Sequence, residues 1–513
     1  MNRLAAIALA LCLLSGCASI DFDYPRTASS AIVDTQDTPL GQSLAEFDGI
    51  KSDDESGFYP LSDGIDALGV RLLLASTAQK SIDLQYYLIK TDTSSRALIY
   101  SLLEAADRGV RVRLLLDDVF TKGYDFGLAG LDSHPNIEIR IFNPFYRGFA
   151  GKLRSGLTNF SRVNRRMHNK SFTVDNQATV IGGRNIGDEY FGAREDVNFS
   201  DLDVFGVGSV VAEVSTMFDT YWNSDRALPL PAVVRPEESY DEEAAVAALR
   251  ELLEGSLANA FATRYGEVLH SVILETLKEE ANLTWCRYQL VYDSPDKTHA
   301  ERAKDASSMI PLLASAIGSA DEEVLIISPY FVPLRSARHG LRDLVASGVE
   351  TVVVTNGLAA NNHTAVHAGY APTRVPLLRS GVEIWEVRAN APSLELERVG
   401  HESSRATLHA KAFVVDRDQL FIGSFNFDPR SVHLNTEMGI LLESPELASA
   451  TAEGLRAALP EAAYQVTVDE HHKLHWTTWQ EGETSTFTHE PDTGFWKRFS
   501  AALMELLPIR GQL

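Results

Sequence analysis

The sequence has little cysteine, no excess of positive charge and no apolar run long enough to cross a membrane. The chain has 513 residues, and its three cysteines are Cys12, Cys17 and Cys286. Cys286 stands in no metal-binding or redox motif, which predicts a packed free thiol and excludes a disulfide framework. Lys and Arg number 46 against 70 Asp and Glu, so the formal net charge is -24. A surface this acidic repels the phosphates of nucleic acid, which disfavours a nucleic-acid-binding protein.

The composition does supply enough apolar material for a large core. Hydrophobic residues make up 45% of the chain and charged residues 23%. These values are typical of folded globular proteins. The length favours two or three domains or one large duplicated domain.

The N-terminal residues have the pattern of a secretory signal. Arg3 precedes an apolar run from Leu4 to Leu14, which ends in Leu14-Ser15-Gly16-Cys17. The run is shorter than the roughly 20 residues that a membrane helix needs, and it suits a signal peptide over residues 1–16. Its ending resembles the lipobox of bacterial lipoproteins, which implies cleavage before Cys17 and acylation of that cysteine. An ordinary signal with an incidental cysteine is the alternative.

Acylation of Cys17 would anchor the protein in the bacterial cell envelope. Ala18 stands where an Asp would favour retention in the inner membrane. By resemblance to lipoprotein sorting, we expect the outer membrane, with the protein facing the periplasm.

The rest of the chain repeats one α/β layout. Residues 17–60 are polar and lack periodicity, which predicts a tether. Helical spacing at 68–78 and strand alternation at 81–87 are followed by a helix at 96–108 and a strand at 110–116, and the same order returns from residue 309. We therefore predict a duplicated α/β fold with halves at 61–230 and 301–455, a connector at 231–300 and a C-terminal extension at 456–513.

Each half contains one copy of the pattern H-x-K-x4-D-x6-G-x-x-N. The first copy consists of His168, Lys170, Asp175, Gly182 and Asn185, and the second of His409, Lys411, Asp416, Gly423 and Asn426. Five fixed positions recurring at corresponding places in two halves exclude coincidence.

The pattern indicates phosphodiester chemistry. Along a strand, His and Lys two positions apart share one face. Two such sets facing each other would place two imidazoles, two ammonium groups and two amides around one cavity, with the glycines letting backbone approach an anion. One His could attack phosphorus while the other protonates the leaving alcohol, and the Lys and Asn side chains could neutralise the phosphoryl oxygens. This chemistry requires no metal and no cofactor.

The motif aspartates, Asp175 and Asp416, stand at an odd distance from the His and Lys of their own copies. Alternation points them to the opposite face of the strand. We therefore expect each to tie a turn through bonds to backbone groups and not to carry protons.

The doubled motif resembles the HKD signature of the phospholipase D superfamily, over about residues 60 to 455. Residues 164–172, 182–188 and 426–431 are also similar to the bacterial cardiolipin synthases of the C type. The resemblance implies two similar α/β halves that share one active site at their interface. It also implies transfer of a phosphatidyl group through a phosphohistidine, with His168 as the nucleophile and His409 as the acid and then the base. Asp175 and Asp416 count among the catalytic positions only because the family motif includes them.

The expected activity is a phosphatidyltransferase that makes cardiolipin from phosphatidylglycerol and a second phospholipid. The alternatives are a hydrolytic phospholipase D, in which water is the acceptor, a nuclease, which the acidic composition opposes, and a non-catalytic lipoprotein scaffold. Phospholipids and the membrane are the expected partners, and the sequence predicts no particular protein partner.

Further side chains are predicted around the site. A histidine nucleophile needs a carboxylate to hold its tautomer, and Asp203 and Glu437 stand at similar offsets after the two motifs, although surface or helix-capping carboxylates would look alike. Residues 146–170 carry seven cations and no Asp or Glu. This segment predicts contact with anionic lipid headgroups, above all through Arg165 and Arg166, against the alternative of a solvated loop.

Two other features are predicted to be structural. His363 and His367 could share a helix face, but no further ligand stands at a metal-binding spacing, which favours cleft lining or plain surface. The tail from Phe495 to Leu507 predicts an amphipathic helix, for which docking onto the body is more common than membrane insertion.

Overall fold

The computed structural model describes residues 20–45, 52, 54–119, 121, 125–147, 159–234, 241–276, 282–304, 306–391, 404–480 and 482–506. Within these ranges one long sheet of 18 strands runs through both halves of the chain, and two further strands pair in a separate small sheet. The strands are β1 Glu55–Leu61, β2 Ser81–Tyr86, β3 Arg111–Asp117, β4 Ile137–Phe142, β5 Ser171–Val174, β6 Ala178–Gly182, β7 Val197–Ser200, β8 Asp203–Gly208, β9 Ala227–Pro229, β10 Thr284–Tyr292, β11 Glu323–Ile327, β12 Glu350–Asn356, β13 Glu383–Val387, β14 Arg405–Leu408, β15 Ala412–Val415, β16 Gln419–Gly423, β17 Met438–Glu443, β18 Ala463–Val468, β19 Leu474–Gln480 and β20 Glu483–Phe487.

Helices cover the faces of the sheet. They are α1 Pro39–Ala45, α2 Gly64–Thr77, α3 Thr93–Asp107, α4 Asp125–Asp132, α5 Phe160–Val163, α6 Ser209–Trp222, α7 Leu230–Val233, α8 Glu242–Phe261, α9 Arg264–Thr276, α10 Ile310–Gly318, α11 Arg335–Ala346, α12 Thr364–Tyr370, α13 Arg374–Arg379, α14 Pro429–His433, α15 Pro445–Ala462 and α16 Phe495–Glu505. No helix in these ranges is long and apolar enough to cross a membrane.

The strand pairings give the two halves the same topology. The sheet runs β9-β4-β3-β2-β5-β6-β8-β1-β10-β17-β16-β15-β11-β12-β13-β18-β19-β20. In each half three parallel strands (β2–β4 and β11–β13) lie beside the antiparallel hairpin that follows the motif His and Lys (β5–β6 and β15–β16). The halves meet where β1 pairs with β10, so the predicted duplicated α/β fold is confirmed.

The two halves also share a core. One cluster of buried side chains includes Met167 and Trp222 from the first half and Leu325 and Ile440 from the second. Since removal of this apolar surface from water stabilises the contact between the halves, they form one body around the interface where the motifs lie.

The segment before the first half is not the tether that the sequence predicted. Ile20 and Phe22 pack against the first-half core, and the Nη1 atom of Arg26 donates to the backbone oxygens of Ser224, Asp225 and Ala227. The predicted tether range also contains most of β1, a central strand of the sheet. Most of residues 20–35 form no helix or strand, so their side chains pack without the periodicity by which a sequence pattern shows burial.

The connector and the C-terminal extension are integrated as well. Helices α8 and α9 pack on α3 and α2 of the first half, and β10 of the connector joins the two halves. The extension adds β18, β19 and β20 to the edge strand β13. Residues 1–16 and Cys17 lie outside the described residues, and Cys286 is a buried free thiol, as predicted.

Candidate active site

His168 is positioned by the opposite half of the protein. It lies just before β5, and its backbone N–H donates to the carbonyl oxygen of Thr436 over 2.9 Å, while the N–H of Thr436 donates to Arg166. The next residue, Glu437, then reaches the imidazole: its Oε2 atom lies 2.7 Å from Nδ1 of His168. The hydroxyl groups of Ser424 and Ser431 donate to the same carboxylate, which fixes its orientation.

The second motif repeats this arrangement in the reverse direction. Strand β14 pairs with β7 of the first half, and the backbone N–H of His409 donates to Ser200 over 2.7 Å. Nδ1 of His409 lies 2.5 Å from the Oδ2 atom of Asp201, the residue after Ser200. Each half therefore supplies the carboxylate that holds the histidine of the other half.

The structure corrects the prediction for one of the two carboxylates. Glu437 does contact an imidazole, but Asp203 does not. Its Oδ2 atom accepts a hydrogen bond from Arg71 over 2.7 Å, and its Oδ1 atom accepts the backbone N–H of Arg184. Asp201 takes the role that the sequence reasoning gave to Asp203, because the carboxylate comes from the strand that pairs across the interface.

A signal in the sequence could have identified Asp201. Ser200-Asp201 and Thr436-Glu437 are both a hydroxyl residue followed by a carboxylate, at the two places where the halves exchange backbone hydrogen bonds. The structure also explains Gly183, because a Cβ atom at this position would lie 2.2 Å from Oδ1 of Asp201. The glycine thus makes room for the aspartate.

The motif glycines serve the packing of strands. A Cβ atom on Gly182 would lie 2.1 Å from Oδ1 of Asp203, and one on Gly423 would lie 2.4 Å from the carbonyl oxygen of Met438. Their lack of a side chain therefore admits the neighbouring strand, whereas the sequence had suggested room for a bound anion.

Both motif lysines are buried beside their histidines. The Nζ atom of Lys170 donates to the carbonyl oxygen of His168 over 2.5 Å. Lys411 Nζ donates to the carbonyl oxygen of His409 and also lies 3.0 Å from Nδ1 and 3.3 Å from Nε2 of its ring. Burial disfavours the ammonium form and lowers the pKa of Lys170 to about 7 and that of Lys411 to about 8.

The two imidazoles are neutral in the ligand-free protein. Burial lowers the pKa of His168 to about 4 and that of His409 to about 3, although the paired carboxylates act in the opposite direction. Burial raises the pKa of Glu437, but its interactions with His168, Lys170 and Ser424 outweigh burial and the net shift is downward. A carboxylate can only accept a hydrogen bond, so each ring holds its proton on Nδ1 and presents a lone pair on Nε2.

The two motifs face one common space. Lys411 lowers the pKa of His168, and Lys170 lowers that of His409. Hydrogen bonds connect the two sets: Glu437 contacts His168 and accepts the hydroxyl of Ser424, and the N–H of Gly423, the residue before Ser424, donates to the carbonyl oxygen of Lys411.

The motif asparagines are buried, and each has an unused polar atom. Asn185 donates from Nδ2 to the hydroxyl oxygen of Tyr190 over 2.9 Å. The Oδ1 atoms of Asn185 and Asn426 find no hydrogen-bond partner among the described residues. Because buried polar atoms are almost always paired, these two are candidates for contact with a polar ligand.

Asp175 and Asp416 bind backbone, as predicted. The carboxylate of Asp175 accepts the N–H groups of Gln79, Lys80 and Ser81 at the start of β2. Asp416 accepts those of Asp321, Glu322 and Glu323 at the start of β11. Both aspartates lie in the turn after the motif strand and fasten it to the neighbouring strand.

The two arginines predicted to meet lipid headgroups are engaged within the protein. Arg166 is buried, pairs with Asp117 and donates to the carbonyl oxygen of Asn143. Arg165 donates to the backbone oxygens of Lys297 and His433 in the second part of the chain. Through these hydrogen bonds both arginines hold the segment before His168 in place. The acceptors are distant in the sequence, so the sequence alone could not show that the arginines are engaged within the protein.

Aromatic rings that the sequence analysis missed enclose the imidazoles. Tyr87 lies edge-on to His168 with ring centroids 4.9 Å apart, and Phe199 stacks on His409 at 5.0 Å. Tyr330 lies edge-on to His409 at 6.5 Å. These rings exclude water from the imidazoles and explain the lowered pKa values.

The two other predicted histidines have different environments. The ring of His363 lies 5.6 Å from that of Tyr330, next to the site, which agrees with cleft lining. His367 is buried, and its Nε2 atom lies 3.2 Å from Glu490.

Comparison with known proteins is consistent with this geometry. The family described as "Cardiolipin synthase, PLD-like domain" matches residues 73–222 and 313–457. Cardiolipin synthase C of Escherichia coli (strain K12) is 42% identical over 462 residues, which cover 89% of this chain and 96% of that protein. An uncharacterized protein of Helicobacter pylori (strain ATCC 700392 / 26695) is 31% identical over 99% of both chains.

A solved structure supports the fold. The crystal structure of phosphatidylserine synthase from Haemophilus influenzae Rd KW20 superposes with a TM-score of 0.56 and 12% identity, covering 92% of this chain and 99% of that one. Two family matches, one in each half, together span more than half of the sequence. The chain therefore belongs to the cardiolipin synthase family of proteins with phospholipase D-like domains.

Proposed function

We propose that this protein is a phosphatidyltransferase that makes cardiolipin from phosphatidylglycerol and a second phospholipid through a phosphohistidine. The observation that carries the proposal is the reciprocal pairing at the interface, where Glu437 holds His168 and Asp201 holds His409. Two imidazoles with fixed tautomers beside two buried ammonium groups suit in-line substitution at an anionic phosphodiester. The similarity to cardiolipin synthase C supports the choice of substrates.

In the first step Nε2 of His168 attacks the phosphorus atom of the donor lipid. A P–N bond forms, the P–O bond to the headgroup alcohol breaks, and the alkoxide takes a proton from Nε2 of His409. The anionic phosphate of the bound lipid raises the pKa of His409 above its ligand-free value, which lets the ring carry this proton. Lys170, Lys411 and the amides of Asn185 and Asn426 offset the charge on the phosphoryl oxygens.

The environment of the two rings supports His168 as the nucleophile. Among the described residues no side chain bonds to Nε2 of His168, so its lone pair is available. The ammonium of Lys411 lies 3.0 Å from Nδ1 and 3.3 Å from Nε2 of His409, and this nearby positive charge favours loss of a proton from the ring, as the acid role requires. This asymmetry agrees with the order that the family resemblance implies.

In the second step a terminal hydroxyl of phosphatidylglycerol attacks the intermediate. Nε2 of His409 takes the proton of that hydroxyl, a new P–O bond forms and the P–N bond to His168 breaks. Glu437 and Asp201 stabilise the positive charge that each ring carries in turn. Water in place of the lipid alcohol would give phosphatidate, which is the hydrolytic alternative.

The lipobox-like ending at Cys17 supports a further part of the proposal. We infer that acyl chains on this cysteine anchor the protein in the outer membrane, facing the periplasm. The anchor would keep the active site near the phospholipids of that membrane. Labelling with radioactive palmitate should modify the wild type and not Cys17→Ser. Fractionation that finds the labelled protein wholly in the inner membrane would contradict the proposed location.

The decisive experiment is analysis of the products formed in vesicles that contain phosphatidylglycerol, with and without phosphatidylethanolamine. Cardiolipin as the main product supports transfer. Phosphatidate alone indicates hydrolysis, and no turnover by a correctly folded protein overturns the proposal.

A trapping experiment tests the order of the histidines. Rapid quench and mass spectrometry should find a phosphatidyl adduct on His168 in the wild type and none in His168→Ala. His409→Ala should form the adduct from a lipid with an acidic leaving alcohol and retain it, because the base for the acceptor is missing. His134→Ala, which alters a histidine that binds Asp107, is the matched control. An adduct on His409 in the His168→Ala protein would reverse the assignment.

A further inference from the structure

Helix α16 carries its apolar face toward solvent. Its large apolar side chains and that of the following residue are among the most exposed of the described chain: Phe495 65%, Trp496 77%, Phe499 51%, Leu503 54% and Leu506 81%. At about 100° per residue these positions fall within an arc of about 100° on the helix. Ala501, which lies on the opposite side, is buried. The helix thus docks onto the body through a small residue and exposes large apolar side chains, which a surface helix normally buries.

The exposed aromatic side chains form a continuous row, here called the aromatic ridge (Phe495, Trp496 and Phe499, continued by Leu503 and Leu506). The ring centroids of Phe495 and Trp496 are 5.4 Å apart, and those of Trp496 and Phe499 are 6.1 Å apart. Trp and Phe along one side of a helix are typical of segments that lie in the membrane interface.

A chain of contacts connects helix α16 to His409. Helix α16 packs against α12, and the Nζ atom of Lys497 donates to the carbonyl oxygen of Ala359 over 3.1 Å. His363, the residue before α12, contacts the ring of Tyr330, which in turn lies edge-on to His409. One helix therefore separates the ridge from the wall of the active site.

Positive charge accompanies the ridge in an otherwise acidic protein. On α16, Lys497 lies on the docked side of the helix and donates to the carbonyl oxygen of Ala359, whereas Arg498 lies at the border of the ridge and donates to the carbonyl oxygen of Thr493. Neither forms an ion pair with a carboxylate of the described residues. A groove of about 270 Å³ is lined by four side chains of α11, Arg335, Arg338, His339 and Arg342, and by Pro372, Thr373, Pro376 and Leu377, which come shortly after α12. With a net charge of -24, the chain as a whole is repelled by anionic lipids, so only such local cations can favour contact with them.

We propose that the aromatic ridge inserts into the interface of a phospholipid bilayer and holds the active-site mouth against the membrane surface. The occupant of the exposed face is the bilayer itself, with Arg498 at the border of the ridge meeting its phosphate groups. This proposal rests on the proposed function, because a phospholipid substrate must leave a bilayer to reach His168. It adds a contact that is separate from acylation of Cys17.

The insertion can be measured in the full-length protein by the quenching of tryptophan fluorescence in vesicles of phosphatidylglycerol and brominated phosphatidylcholine. Trp496 is the most exposed tryptophan of the described residues, so it should supply most of the quenching, and Trp496→Phe should lose it. Because the readout reports the depth of one side chain, it works whether or not the protein is acylated. Absence of quenching at Trp496 overturns the proposal.

A kinetic measurement links the ridge to the site. The double variant Phe499→Ser, Leu503→Ser should raise the apparent KM for vesicle phosphatidylglycerol by about tenfold or more, because less apolar surface enters the bilayer. Turnover of phosphatidylglycerol with acyl chains short enough to remain monomeric should change less than about twofold, since the chemistry is untouched. Leu252→Ser is the matched control, because Leu252 is 56% exposed on α8, and it should leave both substrates unaffected.

Other outcomes separate this proposal from its alternatives. A concentration-dependent dimer in light scattering that Phe499→Ser abolishes, without quenching in vesicles, would show that a second copy covers the ridge and would overturn the proposal. Quenching at Trp496 without any cardiolipin formation would support the docking and contradict the proposed function. Cardiolipin formation without quenching at Trp496 would support the proposed function and contradict the docking of the ridge.

Discussion

Nδ1 of His409 lies 2.5 Å from Oδ2 of Asp201, a residue of the opposite half. Glu437 holds His168 in the same way from the other direction. Neither half on its own therefore contains a motif histidine together with its carboxylate. The duplication has produced one site whose two parts depend on each other for tautomer and orientation.

Replacing either carboxylate by its amide should lower kcat strongly and change the free energy of unfolding little. An amide in Asp201→Asn can present its NH2 group to the ring and stabilise the wrong tautomer, which we expect to lower kcat by about 100-fold to 10,000-fold. Glu437→Gln should act similarly on His168. The initial rate of cardiolipin formation at saturating phosphatidylglycerol measures the effect.

Asp203→Asn provides the matched control, because the same change is made two residues away. Asp203 pairs with Arg71 in the core, and loss of its charge leaves a buried guanidinium without compensation. We expect the free energy of unfolding to fall by about 3–5 kcal/mol, measured by urea denaturation. If Asp201→Asn were destabilised as strongly as Asp203→Asn yet kept its kcat, the assignment of Asp201 would be wrong.

The sequence was sufficient to predict the features that depend on residues close together in the chain. The repeated motif identified the two halves, and strand alternation correctly separated His168 and Lys170 from Asp175. The sequence could not show that Asp201, and not Asp203, contacts a histidine, because this contact depends on strands that pair across the interface. Burial of Arg166 was hidden for a similar reason, since its partner Asp117 lies on a strand far away in the chain.

Arg166→Gln should destabilise the protein rather than weaken its binding to lipid. The change leaves Asp117 buried without its cation, and we expect a loss of about 3–5 kcal/mol in the free energy of unfolding. Urea denaturation and vesicle sedimentation of the same preparation separate the two effects. A normal unfolding free energy together with weaker vesicle binding would restore the headgroup role that the sequence suggested.

The pH dependence of kcat/KM should report the two buried lysines. Both ammonium groups favour binding of the anionic substrate, and their pKa values are about 7 for Lys170 and about 8 for Lys411. As pH rises through this range the free protein loses these charges, so kcat/KM should fall between pH 7 and 8. His168, with a pKa of about 4, stays neutral above about pH 5 and causes no loss there.

The pH dependence of kcat should differ from that of kcat/KM. The bound phosphate raises the pKa of both lysines, so the alkaline fall in kcat should begin at a higher pH than the fall in kcat/KM. Lys411→Met should remove one of the two alkaline steps. A kcat/KM that is constant from pH 6 to 9 would show that neither lysine titrates in this range.

The last prediction separates a structural from a catalytic role for the motif aspartates. Asp416 has a φ of 51° and accepts three backbone N–H groups at the start of β11. Asp416→Ala loses these bonds and places alanine in the left-handed region, so we expect a loss of about 2–4 kcal/mol in the free energy of unfolding. Asp416→Asn tolerates this backbone conformation and keeps one acceptor oxygen, which limits the loss to about 1 kcal/mol. Because the carboxylate binds the backbone and neither imidazole, kcat of the folded fraction should stay within about twofold of the wild type in both variants. A large fall in kcat for Asp416→Asn, with unfolding unchanged, would instead give this aspartate a part in the reaction.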